Sequence, residues 1–293
     1  MGRDAHERSA AARGVFAEAD RALGEPLSRL CFEGPDDQLV LTENTQPALV
    51  ATSAALLAAL EERLGRMPTV AFAAGHSLGE YGALVAAGAL SLADAVSLVR
   101  VRGRAMQRAV PPGAGAMAAV MGLTPAEVEA VCAAAAEGDV VSPANFNGGQ
   151  IVIAGEAAAV ARASRLATER RAKVIPLKVS APFHSALMRP AAEAVRERLA
   201  TIEVRPLAFP VVSNVDARPN SDPARVRELL VRQIDGVVRW EESVKLLAES
   251  GVTLALEVGP GKVLANLVKR IAPGIRVLPL GDYAAVEAAA AEL

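Results

Sequence analysis

The sequence predicts an α/β protein in which a main domain on a parallel sheet is interrupted by a small inserted module. Three observations carry this. An apolar run, Thr69 to Ala74, leads through Gly75-His76-Ser77-Leu78-Gly79 into a helical stretch, Glu80 to Gly88, giving strand, sharp turn, helix. Between Gly113 and Ser180 the pattern reads strand, helix, strand, strand, helix, strand, the βαββαβ order of a ferredoxin-like unit. Beyond it, strands followed by helices resume. The predicted division is therefore an α/β domain of residues 1–112 and 181–293 carrying an inserted ferredoxin-like domain of residues 113–180.

In chain order, Asp4 to Leu23 reads as a charged helix, and a second starts near Thr45-Gln46-Pro47, where proline suits a first turn. The elbow strand follows at Thr69. Ser91 to Val110 is a long amphipathic helix, with Leu92, Val96, Val99, Gly103 and Met106 at helical spacing and arginines between them, ended by Pro111-Pro112-Gly113. The insert comprises strand Ala116–Met121, helix Pro125–Ala136, strand Asp139–Ser142, strand Gln150–Ala154, helix Glu156–Arg170 and strand Lys173–Leu177. A helix from Ser185 and strands near Pro210–Val212 and Val252–Glu257 complete the main domain. Gly259-Pro260-Gly261-Lys262 lacks the first glycine and the Ser/Thr of a phosphate loop, since Leu256 and Val263 stand there, and reads as a strand-to-helix turn.

Bulk properties narrow the function classes. Alanine supplies much of the 52% hydrophobic content, and no apolar segment is long enough to span a bilayer. A net charge of −2 gives no general attraction to nucleic acid or anionic membrane. Cys31 and Cys132 lack metal-ligand spacing, and three histidines are too few for a multi-histidine site, so no metal is expected. With no signal-like N-terminus, the reading is a reduced, cytoplasmic protein. Nothing suggests an obligate interface, and a monomer is expected.

The Gly75–Gly79 pentapeptide has the form of a nucleophile elbow, and glycines on both sides of Ser77 are expected to relieve clashes in the turn. The same pentapeptide also occurs by chance in glycine-rich loops. A serine needs a base, and the sequence offers His6, His76 and His184. His6 lies in a charged segment and reads as a surface residue. His76 adjoins Ser77, which turns its ring away from the hydroxyl. His184, in Ala181-Pro182-Phe183-His184-Ser185, remains as the base, although alone it would equally be a packed or capping residue.

Five segments then resemble one family: Gly75-His76-Ser77-Leu78-Gly79-Glu80-Tyr81, Val101-Arg102-Gly103-Arg104-Ala105-Met106-Gln107, Asn145-Phe146-Asn147, Ala181-Pro182-Phe183-His184-Ser185 and Glu257-Val258-Gly259-Pro260-Gly261-Lys262-Val263-Leu264. In order and spacing they resemble the malonyl-CoA:acyl carrier protein transacylases of bacterial fatty-acid synthesis and the related acyltransferase domains of polyketide synthases. The resemblance runs from about Gly14 to the C-terminus.

It implies a patatin-like, α/β-hydrolase-like main domain and a malonyl-Ser77 intermediate. His184 is then the base, the Gln233 main-chain carbonyl orients its ring, and the Leu78 N–H is an oxyanion donor. Arg102 would read the malonyl carboxylate, with Arg100 and Arg104 left on a solvated face. Phe183 would crowd the space of a 2-methyl group, or be simply a core residue, and Asn147 would position substrate. Malonyl-CoA enters as substrate, with no bound cofactor, and acyl carrier protein is the partner. Its acidity suits the cluster Arg162, Arg165, Arg170, Arg171 and Lys173, which otherwise reads as a solvated helix face.

The resemblance also implies a Gly-Gln-Gly loop whose glutamine N–H is a second oxyanion donor, a loss costing on the order of 100-fold in rate. No Gly-Gln-Gly occurs in this sequence, and the expectation is that Met1 is an internal methionine set as the start. Three alternatives share parts of the pattern: a trans-acting polyketide acyltransferase, a serine hydrolase or thioesterase using the same elbow, and a non-catalytic carrier-binding module.

Overall fold

Residues 1–293 are described by the computed structural model, whose strands are β1 (Ala73–Ala74), β2 (Gly115–Met121), β3 (Val141–Phe146), β4 (Gln150–Glu156), β5 (Lys173–Pro176), β6 (Val211–Val212), β7 (Pro219–Asn220), β8 (Leu254–Val258) and β9 (Arg276–Leu280). β1 pairs in parallel with β6, β6 antiparallel with β7, and β8 in parallel with β9. The parallel sheet expected of the main domain is thus two short parallel ladders with an antiparallel edge. No backbone ladder joins β1 to β8, and the elbow strand is two residues long where the sequence predicts Thr69–Ala74.

Both ladders nonetheless lie in one layer. Ala73, Leu256 and Leu278 pack on the largest core cluster, while Ala74, Ala255 and Val277 pack on a smaller one around Trp240. Alternating side chains of each strand therefore serve the same two cores, as strand geometry requires.

The largest core is helical. Phe16, Leu56, Leu60, Leu98, Val99 and Met106 meet in it, from helices Ala10–Leu23, Thr42–Leu64 and Leu92–Arg108. Fully burying a side chain of this size contributes about 1.5–3 kcal/mol. Gly103 sets one crossing: a Cβ there would lie 2.7 Å from the Glu43 Cα and the Thr42 carbonyl oxygen. That close approach seats Gln46, one turn along, beside Arg102.

Strands β2 to β5, in residues 113–180, form an antiparallel sheet in the order β3-β4-β2-β5. Helices Pro125–Ala136 and Ala157–Glu169 cover one face with their own cluster around Val128, Val131, Ile153 and Val160. Thr124 and Glu127 form a reciprocal capping box on the first of these helices, a device that contributes about 1 kcal/mol. The other face, with Met117, Ala144 and Val152, packs on Leu177 and Phe183. The sheet therefore supports the segment that carries His184.

Several boundaries differ from the sequence reading. The N-terminal helix is two, Arg3–Arg8 and Ala10–Leu23, because Ser9 leaves helical geometry and its hydroxyl accepts the Ala12 N–H to cap the second. The next long helix starts at Thr42, placing Pro47 inside it. β3 runs to Phe146, and Gly148 and Gly149, both at positive φ, form the hairpin to β4. Ser185 precedes a short 3-10 turn, Ala186–Met188, before helix Arg189–Leu199. The Gly259–Lys262 segment is a strand-to-helix turn, and Glu257 accepts the Leu264 and Ala265 N–H groups at 2.8 Å each, filling the N-terminus of helix Val263–Ile271. No helix is long and apolar enough to cross a membrane.

Candidate active site

Ser77 stands at the end of β1 with φ 50°, in the left-handed region, and the helix Gly79–Ala86 begins two residues later. A non-glycine residue there is strained, and surrounding contacts must hold it. Asn214, just after β6, supplies them: its Oδ1 accepts the Ser77 N–H at 2.7 Å and its Nδ2 donates to the Gly75 carbonyl at 2.8 Å. Only one flanking glycine is sterically required. A Cβ on Gly75 would lie 2.0 Å from the Gly79 carbonyl carbon, whereas nothing lies within 4 Å of a Cβ on Gly79. The turn folds the helix start back over Gly75, and Gly79 faces open space.

His184 also has a positive φ, 59°, and is 3% exposed. Its Nδ1 lies 2.9 Å from the Gln233 main-chain oxygen, and its Nε2 lies 2.7 Å from Ser77 Oγ. A carbonyl can only accept, so Nδ1 carries the proton and Nε2 presents its lone pair to the serine hydroxyl. Burial, then the positive charge of Arg102 and the neighbouring His76, push His184 down to about 3 against the pull of the Gln233 carbonyl. The ring is neutral in the resting protein.

Arg102 joins the same oxygen. Its Nη2 donates to Ser77 Oγ at 2.9 Å and to Gln233 Oε1 at 3.2 Å, and its Nη1 donates to Gln46 Oε1 at 2.8 Å. The side chain is 2% exposed and lies over the Tyr81 ring, and its Nε has no partner. Burial lowers its pKa, opposed by Tyr81 and Glu80. Arg100, expected on a solvated face, is instead 6% exposed and held by Asn44 and Glu25, because the first turn of the Thr42–Leu64 helix and the turn after helix Ala10–Leu23 cover the face it occupies. Arg104 is exposed and paired with Glu43 at 2.7 Å.

The Leu78 N–H, at the mouth of the Gly79–Ala86 helix, donates to no protein acceptor. His76 turns away from Ser77 and its Nε2–H donates to Asn147 Oδ1 at 2.9 Å, so Asn147 reaches the site through the elbow. Phe183 is half-buried between the main core and the insert's sheet. His6 is not a free surface ring: it packs on Phe16 and Phe32.

The cationic cluster divides. Arg162 is a strut whose Nε and Nη2 donate to the Ala135 and Ala136 carbonyls and to Asp139, each at 2.8 Å, closing the C-terminus of the preceding helix. Its Nε and Nη2 donors are taken up within the fold, unlike those of a docking residue. Arg165, Arg170, Arg171 and Lys173 are exposed.

Sequence reasoning missed Gln46, Glu80 and Asn214. Glu80 had a signal: it is the single charge in the otherwise apolar helix Gly79–Ala86, and it is 3% exposed. Its Oε2 accepts Gln233 Nε2 at 2.7 Å and the Asn214 N–H at 3.2 Å. Burial pushes its carboxyl up to about 7, against the hydrogen bonds of Gln233 and Asn214. Asn214 and Gln46 carry no local signal, since their partners lie far away in sequence.

Chemically, a hydroxyl on a neutral imidazole beside a free N–H at a helix mouth can form and break an ester, which defines the class as serine-centred acyl transfer. The family follows from the whole chain. An acyl transferase domain model matches residues 1–276, and the chain belongs to that family. It is 47% identical over 292 residues to the malonyl CoA-acyl carrier protein transacylase of Bacillus subtilis, covering 99% of this chain and 91% of that one. The Escherichia coli K12 protein of the same name is 48% identical, covering 94% of this chain and 89% of that one. An acyl carrier protein S-malonyltransferase from Vibrio cholerae superposes with a TM-score of 0.95 at 44% identity, covering 99% and 94%. A malonyl-transacylase solved with a type II polyketide-synthase acyl-carrier protein superposes equally, with a TM-score of 0.95 at 42% identity over 100% and 95%.

Proposed function

We propose that this protein moves the malonyl group from malonyl-CoA to the phosphopantetheine thiol of an acyl carrier protein through a malonyl-Ser77 ester. The single observation that carries the substrate choice is the buried Arg102 guanidinium on Ser77 Oγ. A buried cation beside a nucleophile is costly unless an anion meets it, and a malonyl group brings a carboxylate to that spot.

His184 Nε2 takes the Ser77 proton as Oγ attacks the thioester carbonyl, and the Leu78 N–H faces the oxyanion. The carbon–sulfur bond breaks and the imidazolium returns the proton to the coenzyme A thiolate. The carrier thiol then gives its proton to His184 and attacks the ester, and Ser77 leaves with that proton. The Gln233 carbonyl holds the ring in the tautomer both halves need. Phe183 borders the acyl site, favouring malonyl over a 2-methyl analogue, and Asn147 braces His76 behind the elbow. Arg165, Arg170, Arg171 and Lys173 are read as the carrier's landing patch.

Residues 113–180 are read as an inserted ferredoxin-like domain on a patatin-like, α/β-hydrolase-like domain of residues 1–112 and 181–293. The β3-β4-β2-β5 order and the separate cluster beneath it support that division. The carrier's pathway is left to the assay, since relatives include a transacylase solved with a polyketide carrier.

Incubation with malonyl-CoA, followed by mass spectrometry, should find Ser77 acylated. Adding carrier protein, of fatty-acid or polyketide type, should discharge it onto the carrier thiol, and Ser77→Ala should do neither. Discharge to water at the same rate with and without carrier would instead make the protein a hydrolase.

A further inference from the structure

We infer that Glu80 is a positioning residue that sets the orientation of the Gln233 side-chain amide and, through it, the carboxylate-reading geometry of Arg102. The inference rests on the malonyl-transfer reading and adds a residue to that same site.

Gln233 is fully buried and acts at both ends. Its main-chain oxygen accepts His184 Nδ1–H, while its side-chain Nε2 donates to the Ser77 carbonyl at 2.8 Å and to Glu80 Oε2 at 2.7 Å. With both Nε2 hydrogens taken by oxygens on one side, Oε1 faces Arg102 Nη2 at 3.2 Å. The opposite amide orientation would point an NH₂ group at a guanidinium, donor against donor, in a site where neither finds water. Glu80 and the Ser77 carbonyl together select the observed orientation, and Glu80 is the one side chain among these acceptors: an oxygen at its position bonds the amide nitrogen and would repel the amide oxygen.

Gln46 fixes the other arm of the guanidinium, so Arg102 is held at both ends by amide oxygens. Glu80 also accepts the Asn214 N–H, and Asn214 holds the elbow at Ser77 and Gly75. One carboxyl oxygen thus links the support of the base, the support of the nucleophile and the orientation of the anion-binding arginine. Oε2 can accept in either protonation state, because the proton can reside on Oε1.

A purely structural buttress would make the same contacts, so the test separates the two roles by acyl group. Ser77 acylation is measured with malonyl-CoA and acetyl-CoA for the parent, Glu80→Ala and Glu80→Gln. The expected result for Glu80→Ala is a fall in kcat/KM that is about tenfold or more larger for malonyl-CoA than for acetyl-CoA, mainly through the malonyl-CoA KM. Glu80→Gln, whose amide oxygen restores the acceptor, should recover most of the malonyl preference. An unchanged malonyl-to-acetyl ratio in Glu80→Ala, whether both rates persist or both fall together, overturns the inference. If Glu80→Ala does not fold, Glu80→Asp, which shortens the reach by one methylene, must lower the ratio, and an unchanged ratio again overturns it. A parent that is not acylated by malonyl-CoA overturns the functional reading and this inference with it. A parent that is acylated, with a ratio insensitive to Glu80, overturns this inference alone.

Discussion

Arg102 Nη2 donates to the same Ser77 oxygen that His184 Nε2 meets and, in the proposed reaction, deprotonates. A carboxylate arriving on the guanidinium competes for that donor and removes the positive charge that helps hold His184 down. Arg102→Ala is therefore expected to lower malonyl-CoA kcat/KM by about 100-fold, as loss of a charge-assisted contact implies, while acetyl-CoA acylation holds or rises. Steady-state acylation rates check this, and equal malonyl rates would remove Arg102 from the site. His184 predicts a pH effect on stability. Its folded pKa of about 3 lies below the ordinary histidine value, so between the two the unfolded chain binds more protons and stability falls as pH drops through that window. His184→Gln lacks this loss, so the difference in Tm between variant and parent should shift in the variant's favour between about pH 7 and pH 5. A pH-independent difference would contradict a neutral buried imidazole.

At the scale of elements, the elbow is a short strand bent over a helix start, and its two glycines have unequal duties. Gly75→Ala drives a methyl into the Gly79 backbone, so a loss of at least about 1–3 kcal/mol and of Ser77 acylation is expected, read from thermal melting and the acylation assay. Gly79→Ala meets nothing and sits in the first turn of a helix, where alanine is favoured over glycine by up to about 1 kcal/mol. Its Tm should hold or rise, and a collapse would show that the open space is filled in solution. The pattern G-x-S-x-G made both glycines look alike; only the path of the helix after the turn tells them apart.

At the scale of the molecule, the insert's sheet meets the main body through β3, where the Phe146 N–H donates to the Val238 carbonyl and the Val238 N–H to the Ala144 carbonyl, at 2.9 and 2.8 Å. Those bonds bring the sheet against the stretch that follows Gln233, and Phe183, next to His184 in the chain, packs on both the main core and the sheet. On the insert's outer side, reversing the charge of Arg165, Arg170, Arg171 and Lys173 together should raise KM for carrier protein severalfold while leaving Ser77 acylation by malonyl-CoA unchanged. An unaltered carrier KM at low salt would take the patch out of the docking surface.

Local pattern was enough for the elements with strong periodicity and for the residues whose chemistry is intrinsic. Helix Leu92–Arg108, the βαββαβ order, the elbow at Ser77 and the choice of His184 among three histidines were legible because a side chain's period and its pKa class are properties of the chain itself. Gln233 was legible only through family resemblance. Arg102 likewise stood out from Arg100 and Arg104 only through that resemblance, so what the sequence determined alone was an elbow serine and a candidate histidine on predictable elements. Tertiary structure decided that Arg100 is buried, that Arg162 is a strut, that the parallel sheet is two ladders, and that Glu80, Gln46 and Asn214 hold the site together. The physical reason is that a polar side chain's role is set by the partner that replaces water when it is buried, and these partners lie 23 to 153 residues apart in the chain.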